Sequence, residues 1–246
     1  MPAQKADRPV ERDMRTPASV FLIRKDRDGR PQQCGGVLVG DQWVLTARHC
    51  VDGQIWRNMT VRFGSARGLP GDGGGTRTGV AAYCPAEASD GLSADVALVR
   101  LEQSVSRQVE RPVLATRRSM VSLGLPEVLQ FARWRNSLGD GGNGGLKVSP
   151  LDVMGRDVNG LLQARMIYRH EAPPCGGESG SGVYRLAGDT HILVGILSAI
   201  QTPVGSPVCA SSRTRALITP VGQWSQWITD VIQSCDRGAC ALRGEN

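Results

Sequence analysis

The chain has 246 residues, a formal net charge of +6, seven cysteines and three histidines. That length exceeds a disulfide-stapled mini-protein and suits one large all-β unit or two small domains, and a hydrophobic content of 40% supplies a real core, which excludes wholesale disorder. The longest apolar run, residues 192–200, is about half of the ~18 to 20 residues that a membrane span requires, so a transmembrane helix is excluded.

Residues 1–16 are polar, carry seven charges and read as an N-terminal arm. They lack the apolar stretch of a secretory leader, which leaves a mature chain or a protein kept inside the cell. From Ser19 onward short apolar runs alternate with turn signals. Strands are expected at 20–23, at 36–39 and 43–46 as a hairpin around Gly40-Asp41, and at 60–63, 78–83 and 95–101. The charged stretch 102–122 reads as a linker. A second series of strands follows at 128–134, 146–154, 164–168, 182–186, 191–198 and 216–219. Trp224, Trp227, Ile228, Val231 and Ile232 recur at i, i+3, i+4, i+7 and i+8, which predicts a helix over 223–234.

The expected fold is therefore all-β: about six strands, a connection, about six more and a terminal helix. The units are an arm at 1–16, a first barrel at 17–115, a second at 116–222, a helix at 223–234 and a tail at 235–246. Of the 29 basic residues 26 are arginine. They are scattered with few aromatics between them, which reads as a solvated basic surface and not as a nucleic-acid interface.

Three positions carry chemistry. His49 closes an apolar run beginning at Trp43. Asp95 opens another, an unusual place for a carboxylate. Ser179 stands in Cys175-Gly-Gly-Glu-Ser-Gly-Ser-Gly, where glycines permit a tight turn, close approach and backbone N–H groups converging on one point. Each alone is ordinary. Together they are what a serine nucleophile requires: an imidazole to take the hydroxyl proton and a carboxylate to fix the imidazole. The His and Asp fall in the first series of strands and the Ser in the second, which places the site between the halves. His170 and His191 lack ligand spacing and read as structural. No metal or cofactor is expected.

In these blocks the chain resembles the trypsin/chymotrypsin family of serine proteases: Cys34-Gly-Gly-Val-Leu, Leu45-Thr-Ala-Arg-His-Cys50, Asp95-Val-Ala-Leu-Val-Arg-Leu101, Gly177-Glu-Ser-Gly-Ser181, Gly195-Ile-Leu-Ser198 and Trp224-Ser-Gln-Trp-Ile228. Their joint order over residues 17–232 carries the resemblance. It implies two six-stranded antiparallel Greek-key barrels and a C-terminal helix. It implies His49 as general base and acid, Asp95 as its orienting group, Ser179 as nucleophile, and the N–H groups of Gly177 and Ser179 as the oxyanion hole. It also implies that the strand after Ser198 pairs with substrate backbone. Bridges are implied between Cys34 and Cys50 and between Cys175 and Cys209, each worth about 3 kcal/mol in the loop-entropy picture. Cys84 is expected to pair with Cys235 or Cys240, with Cys235–Cys240 as the alternative and one thiol left over. Bridges point to an oxidising compartment, so a secreted or periplasmic protein is expected, with an intracellular one left open. The expected partner is a protein or peptide substrate, and the expected state a monomer.

The sequence departs from that family in three ways. No Ile-Val-Gly-Gly start is present, and the acid before the nucleophile is Glu178 in place of the usual Asp, which is expected to pair with an internal Arg or Lys and to make the enzyme competent without cleavage. The primary pocket, to which Ser198 also belongs, has Pro173 and Pro174 where trypsin-like members carry an acid, and Ile200 and Ala216 near usual glycines, which favours small or apolar P1 residues. Arg48 replaces a small residue beside His49 and, if buried, needs a partner such as Glu178. A catalytically weak or inactive binding module on the same fold is the alternative function. A protease that cuts one dedicated protein inside the cell is a third.

Overall fold

A computed structural model describes residues 18–25, 28–52, 59–63, 75–86, 92–105, 109–121, 123–124, 126–134, 146–167, 172–207 and 209–238. Six strands, β1 (Ser19–Lys25), β2 (Pro31–Gly40), β3 (Trp43–Thr46), β4 (Thr60–Phe63), β5 (Gly75–Tyr83) and β6 (Ala97–Leu101), close into an antiparallel barrel in the order β1-β2-β3-β6-β5-β4. Period-two alternation drives the closure. In β4, Val61 and Phe63 are buried while Thr60 and Arg62 face water. In β1, Val20 and Leu22 fill the barrel, whereas Phe21 points the other way into a second apolar cluster. Both faces of β1 are thus covered, which is why its sequence reads as a continuous apolar run.

The second barrel is built from β8 (Glu127–Trp134), β9 (Leu146–Arg156), β10 (Leu162–Met166), β11 (Gly182–Ala187), β12 (Thr190–Gln201) and β13 (Arg215–Pro220). Its ring runs β8-β9-β10-β13-β12-β11 and returns to β8, antiparallel throughout. The cluster containing Phe21, Trp43 and Leu98 of the first barrel also takes Ala132, Trp134, Tyr184 and Ile196 of the second. Phe21 and Trp134 approach with ring centroids 6.3 Å apart, and Trp134 Nε1 donates to Ser19 O at 3.3 Å. This shared core fixes the two barrels against each other. The C-terminal helix α2 (Ser225–Asp236) seals it with Ile228 and Cys235, and Trp43 Nε1 donates to Asp236 Oδ1 at 3.4 Å. Among the described residues no helix is long and apolar enough to cross a membrane.

The segment 102–122 is more than a linker. It holds the two-residue strand β7 (Val113–Leu114), parallel to β12 at Ile192–Leu193, and the short helix α1 (Arg117–Val121). Two residues cannot display alternation, and a five-residue helix burying only Met120 displays no apolar face. Strand β12 extends past the expected 191–198 through Ala199, Ile200 and Gln201, because backbone pairing with β13 continues after the apolar pattern stops.

Candidate active site

His49 sits in a single 3-10 turn, Arg48–Cys50, at the end of β3. The Cys34–Cys50 disulfide ties that turn to β2 with Cα atoms 6.4 Å apart. Asp95 leaves a second 3-10 turn, Leu92–Ala94, just before β6, the strand that pairs with β3. Adjacent strands therefore deliver the two groups to one place. Asp95 Oδ1 accepts from His49 N at 3.0 Å, and Oδ2 lies 2.9 Å from His49 Nδ1. Ser198 Oγ, from β12 of the second barrel, donates to the same Oδ2 at 2.5 Å. The Asp95 side chain is 7% exposed and that of His49 43%. Burial pushes the Asp95 carboxyl up, but the hydrogen bonds and charge of His49 and the Ser198 hydroxyl outweigh it and hold the group below the usual carboxylate range. An ionised Asp95 only accepts, so Nδ1 carries the proton of a neutral His49 and Nε2 is left as its basic nitrogen.

Ser179 lies in the turn that follows the Cys175–Cys209 disulfide and precedes β11. Two of its glycines are forced. Gly177 and Gly180 have φ of +87° and +85°, in the left-handed region. A β-carbon on Gly180 would also fall 2.3 Å from both Gly35 O and Thr46 Oγ1 and 3.1 Å from Ala47 N. The turn is therefore pressed onto the strand end that carries His49, and Gly35 N donates to Ser179 O at 2.7 Å. The N–H groups of Glu178, Gly180 and Ser181 donate to Cys175 O, Leu197 O and Glu178 O. Those of Gly177 and Ser179 have no acceptor among the described residues. Gly177 and Ser179 are both partly exposed, so these two donors are open to an incoming oxygen acceptor.

Glu178 points inward and is 4% exposed. Arg133 of β8, 1% exposed, meets its Oε2 at 3.1 Å and also donates to Ala172 O at 2.8 Å and Pro173 O at 3.3 Å. Glu178 Oε2 in turn accepts from Cys175 N at 3.0 Å. One guanidinium thus gathers residues 172–178 around a buried carboxylate. The sequence shows an internal cation to be needed but not which one. Strand parity was the available signal, since Leu129, Phe131 and Arg133 share the inward face of β8. Gln33 was also missed. Its amide packs against Gly177, with Nε2 2.4 Å from where a β-carbon would stand.

The expected pocket residues gather on the second barrel. Pro173 and Pro174 are buried beside Arg133, Ile200 and Ala216 oppose each other across β12 and β13, and Ser198 lies two residues before Ile200. Arg48 is neither buried nor paired with Glu178. Its side chain is 38% exposed and meets Asp52 one turn on at 3.8 Å. Cys84 does not bridge to Cys235 or Cys240. It is a free thiol packed against the interior of the first barrel, whereas Cys235 is buried in the cluster between the barrels and is disulfide-bonded to a partner outside the described residues, where Cys240 also lies. Burial pushes the Cys84 thiol up to about 11. Cys34, His49 and Cys50 lie within 4.8 Å of one another, but the two sulfurs are bonded together and neither is a thiolate able to hold a metal. His191 packs edge-on against Tyr184 with centroids 6.0 Å apart, and His170 lies outside the described residues.

The sequence matches the trypsin family over residues 8–228. It is 25% identical to the snake venom serine protease catroxase-1 of Crotalus atrox over 239 residues, covering 89% of this chain and 84% of that protein. It is 26% identical to chymotrypsin-like elastase family member 1 of Homo sapiens, covering 89% of this chain and 88% of that one. With granzyme M of Homo sapiens the identity is 27%, covering 86% of this chain and 83% of the relative.

Proposed function

Because the chain belongs to the trypsin family of serine proteases, we propose that it is an endopeptidase that cleaves through His49, Asp95 and Ser179. Ser179 Oγ attacks the scissile carbonyl carbon while its proton passes to His49 Nε2. The carbonyl oxygen becomes an oxyanion held by the N–H groups of Gly177 and Ser179. Asp95 stabilises the imidazolium by accepting from Nδ1 and keeps the ring oriented. His49 then gives the proton to the leaving amine, the C–N bond breaks, and an acyl ester remains on Ser179. Water repeats the sequence with His49 as base and releases the acid. The observation that carries this reading is the joining of the buried, ionised Asp95 to both His49 and Ser198, with the nucleophile turn bonded across to Gly35 beside the disulfide of the His49 turn.

The pocket reading follows from charge and bulk. Pro173, Pro174, Ser198, Ile200 and Ala216 bring no carboxylate, and the acid nearest the nucleophile is engaged by Arg133. Such a pocket suits a small or apolar P1 side chain and gives no counter-ion to Arg or Lys. Arg133 also fixes the 172–178 segment from within the fold, which supports activity without N-terminal trimming. Activity that appears only after trimming would contradict this. The two bridges, with relatives that include venom proteases, support an oxidising, extracellular or periplasmic setting. Cleavage profiling with a peptide library tests activity and pocket together. Cuts after Ala, Val or similar residues are expected, and strict cleavage after Arg or Lys would overturn the pocket assignment.

A further inference from the structure

Beyond the pocket, β12 runs from Ser198 to Gln201, about 10 Å away from the Asp95 bond at ~3.3 Å per residue. One edge of this stretch is held by β13, with Ile200 opposite Ala216 and Gln201 opposite Arg215. On the other edge, β11 pairs only as far as Ile196, and Leu197 exchanges bonds with Gly180 and Ser181 of the nucleophile turn. Among the described residues no strand covers positions 198–201 on that side. An open edge beginning at the nucleophile turn accepts an extended peptide by strand addition. Added antiparallel to β12, the peptide enters with its scissile bond at Ser179, and its residues upstream of that bond run out towards Gln201.

At that end lies a cavity of about 940 Å³ bounded by the middle of β9 and the ends of β10, β12 and β13. Three arginines line it, Arg165, Arg213 and Arg215, against one carboxylate, Asp152. Arg165 meets Asp152 at 3.1 Å, so that acid is already engaged. Arg213 and Arg215 have no acidic partner among the described residues. The remaining lining includes Gln201 and Thr202, polar and uncharged. The local field is positive, and the cavity meets β12 at Gln201, the end towards which the upstream part of a bound peptide runs, with Arg213 and Arg215 lining it from the β13 side.

We propose that this cavity is a subsite for acidic side chains, so that the enzyme prefers substrates with Asp or Glu about three to five residues upstream of the cleaved bond, recognised by Arg213 and Arg215. The proposal rests on the protease reading above and deepens it by naming the charge of its substrates. Exposed ion pairs are modest individually, and two of them together correspond to about a three- to tenfold preference.

Internally quenched peptides that share one small P1 residue and differ only at those upstream positions, as Glu, Gln or Lys, provide the test. Wild-type kcat/KM is expected to fall from Glu to Gln to Lys, by about three- to tenfold at each step in low salt, with the differences shrinking towards 1 M NaCl. The Arg213→Glu/Arg215→Glu variant is expected to reverse the order. Equal rates for the Glu and Lys peptides, or an acid preference that survives the reversal, would overturn the proposal. Anisotropy of the same peptides, fluorescein-labelled, on Ser179→Ala reads the cavity apart from hydrolysis. Tighter binding of the Glu peptide supports the subsite even if no peptide is cut, an outcome that would defeat the protease reading alone. Equal binding of Glu and Lys peptides defeats the subsite alone.

Discussion

Asp95 is the residue on which most of the site's order depends, since three donors converge on it: the His49 backbone, the His49 ring and the Ser198 hydroxyl. Asparagine in its place offers an amide N–H to the imidazole and selects the wrong tautomer. Asp95→Asn is therefore expected to lower kcat by about 10⁴ while leaving the fold intact. A loss of less than tenfold would show that the carboxylate does not orient the base. The same contacts make Asp95 a pH-dependent element of stability. Its pKa is held below the ordinary carboxylate value in the folded state, so its contribution is fully present above about pH 4 and is lost as pH falls through the lowered folded value. Melting curves from pH 7 to pH 3 should show the wild type losing stability more steeply than Asp95→Asn, and parallel curves would contradict this. The candidate residues His49, Asp95 and Ser179 stand out in the sequence because each lies in a short block of distinctive neighbours. The partner of Glu178 was not, because an ion pair between positions 45 residues apart leaves no mark on local pattern.

At the scale of elements, the nucleophile turn is held from two sides. From outside, the Gly35–Ser179 bond fixes it to the first barrel, where the Cys34–Cys50 bridge ties β2 to the His49 turn. From within, β8 supplies Arg133. Removing one member of a buried ion pair leaves an uncompensated charge and costs about 3–5 kcal/mol, whereas replacing both with apolar groups costs far less. Arg133→Met is expected to lower the melting temperature by about 10 °C, with Arg133→Met/Glu178→Met recovering much of it. Fluorophosphonate labelling should slow in both variants, because neither gathers the carbonyls of Ala172 and Pro173. A double variant that recovers stability and also labels at the wild-type rate would show that the pair supports folding only. Strands with clear alternation were placed nearly to the residue, as at 60–63, where period-two burial writes itself into the sequence. Elements defined by pairing or capping were less visible. Helix α2 begins at Ser225, after a separate 3-10 turn at Val221–Gln223 that carries the same apolar spacing.

At the scale of the molecule, two barrels share one apolar core, and the site straddles the line between them, with Asp95 from one and Ser198 from the other. The cysteines give an independent check on this arrangement. Cys34–Cys50, Cys175–Cys209 and a bonded Cys235 leave Cys84 free. Ellman's reagent on the unreduced protein in guanidinium is expected to find one thiol per chain, and a slow reaction in the folded state, where burial keeps Cys84 protonated. Seven thiols would contradict the bridges. Overall architecture was legible because the strands fall in two series with a terminal amphipathic helix, whereas the basic charge of +6 carried no location until the cavity beside β12 gathered three of its arginines. The central claim is that Ser179 is an activated nucleophile. A fluorophosphonate probe should label the untrimmed wild-type chain at one site and fail to label Ser179→Ala. A wild-type chain shown to be folded that takes up no probe, or a Ser179→Ala chain labelled equally, would contradict it and leave a binding module on the same fold.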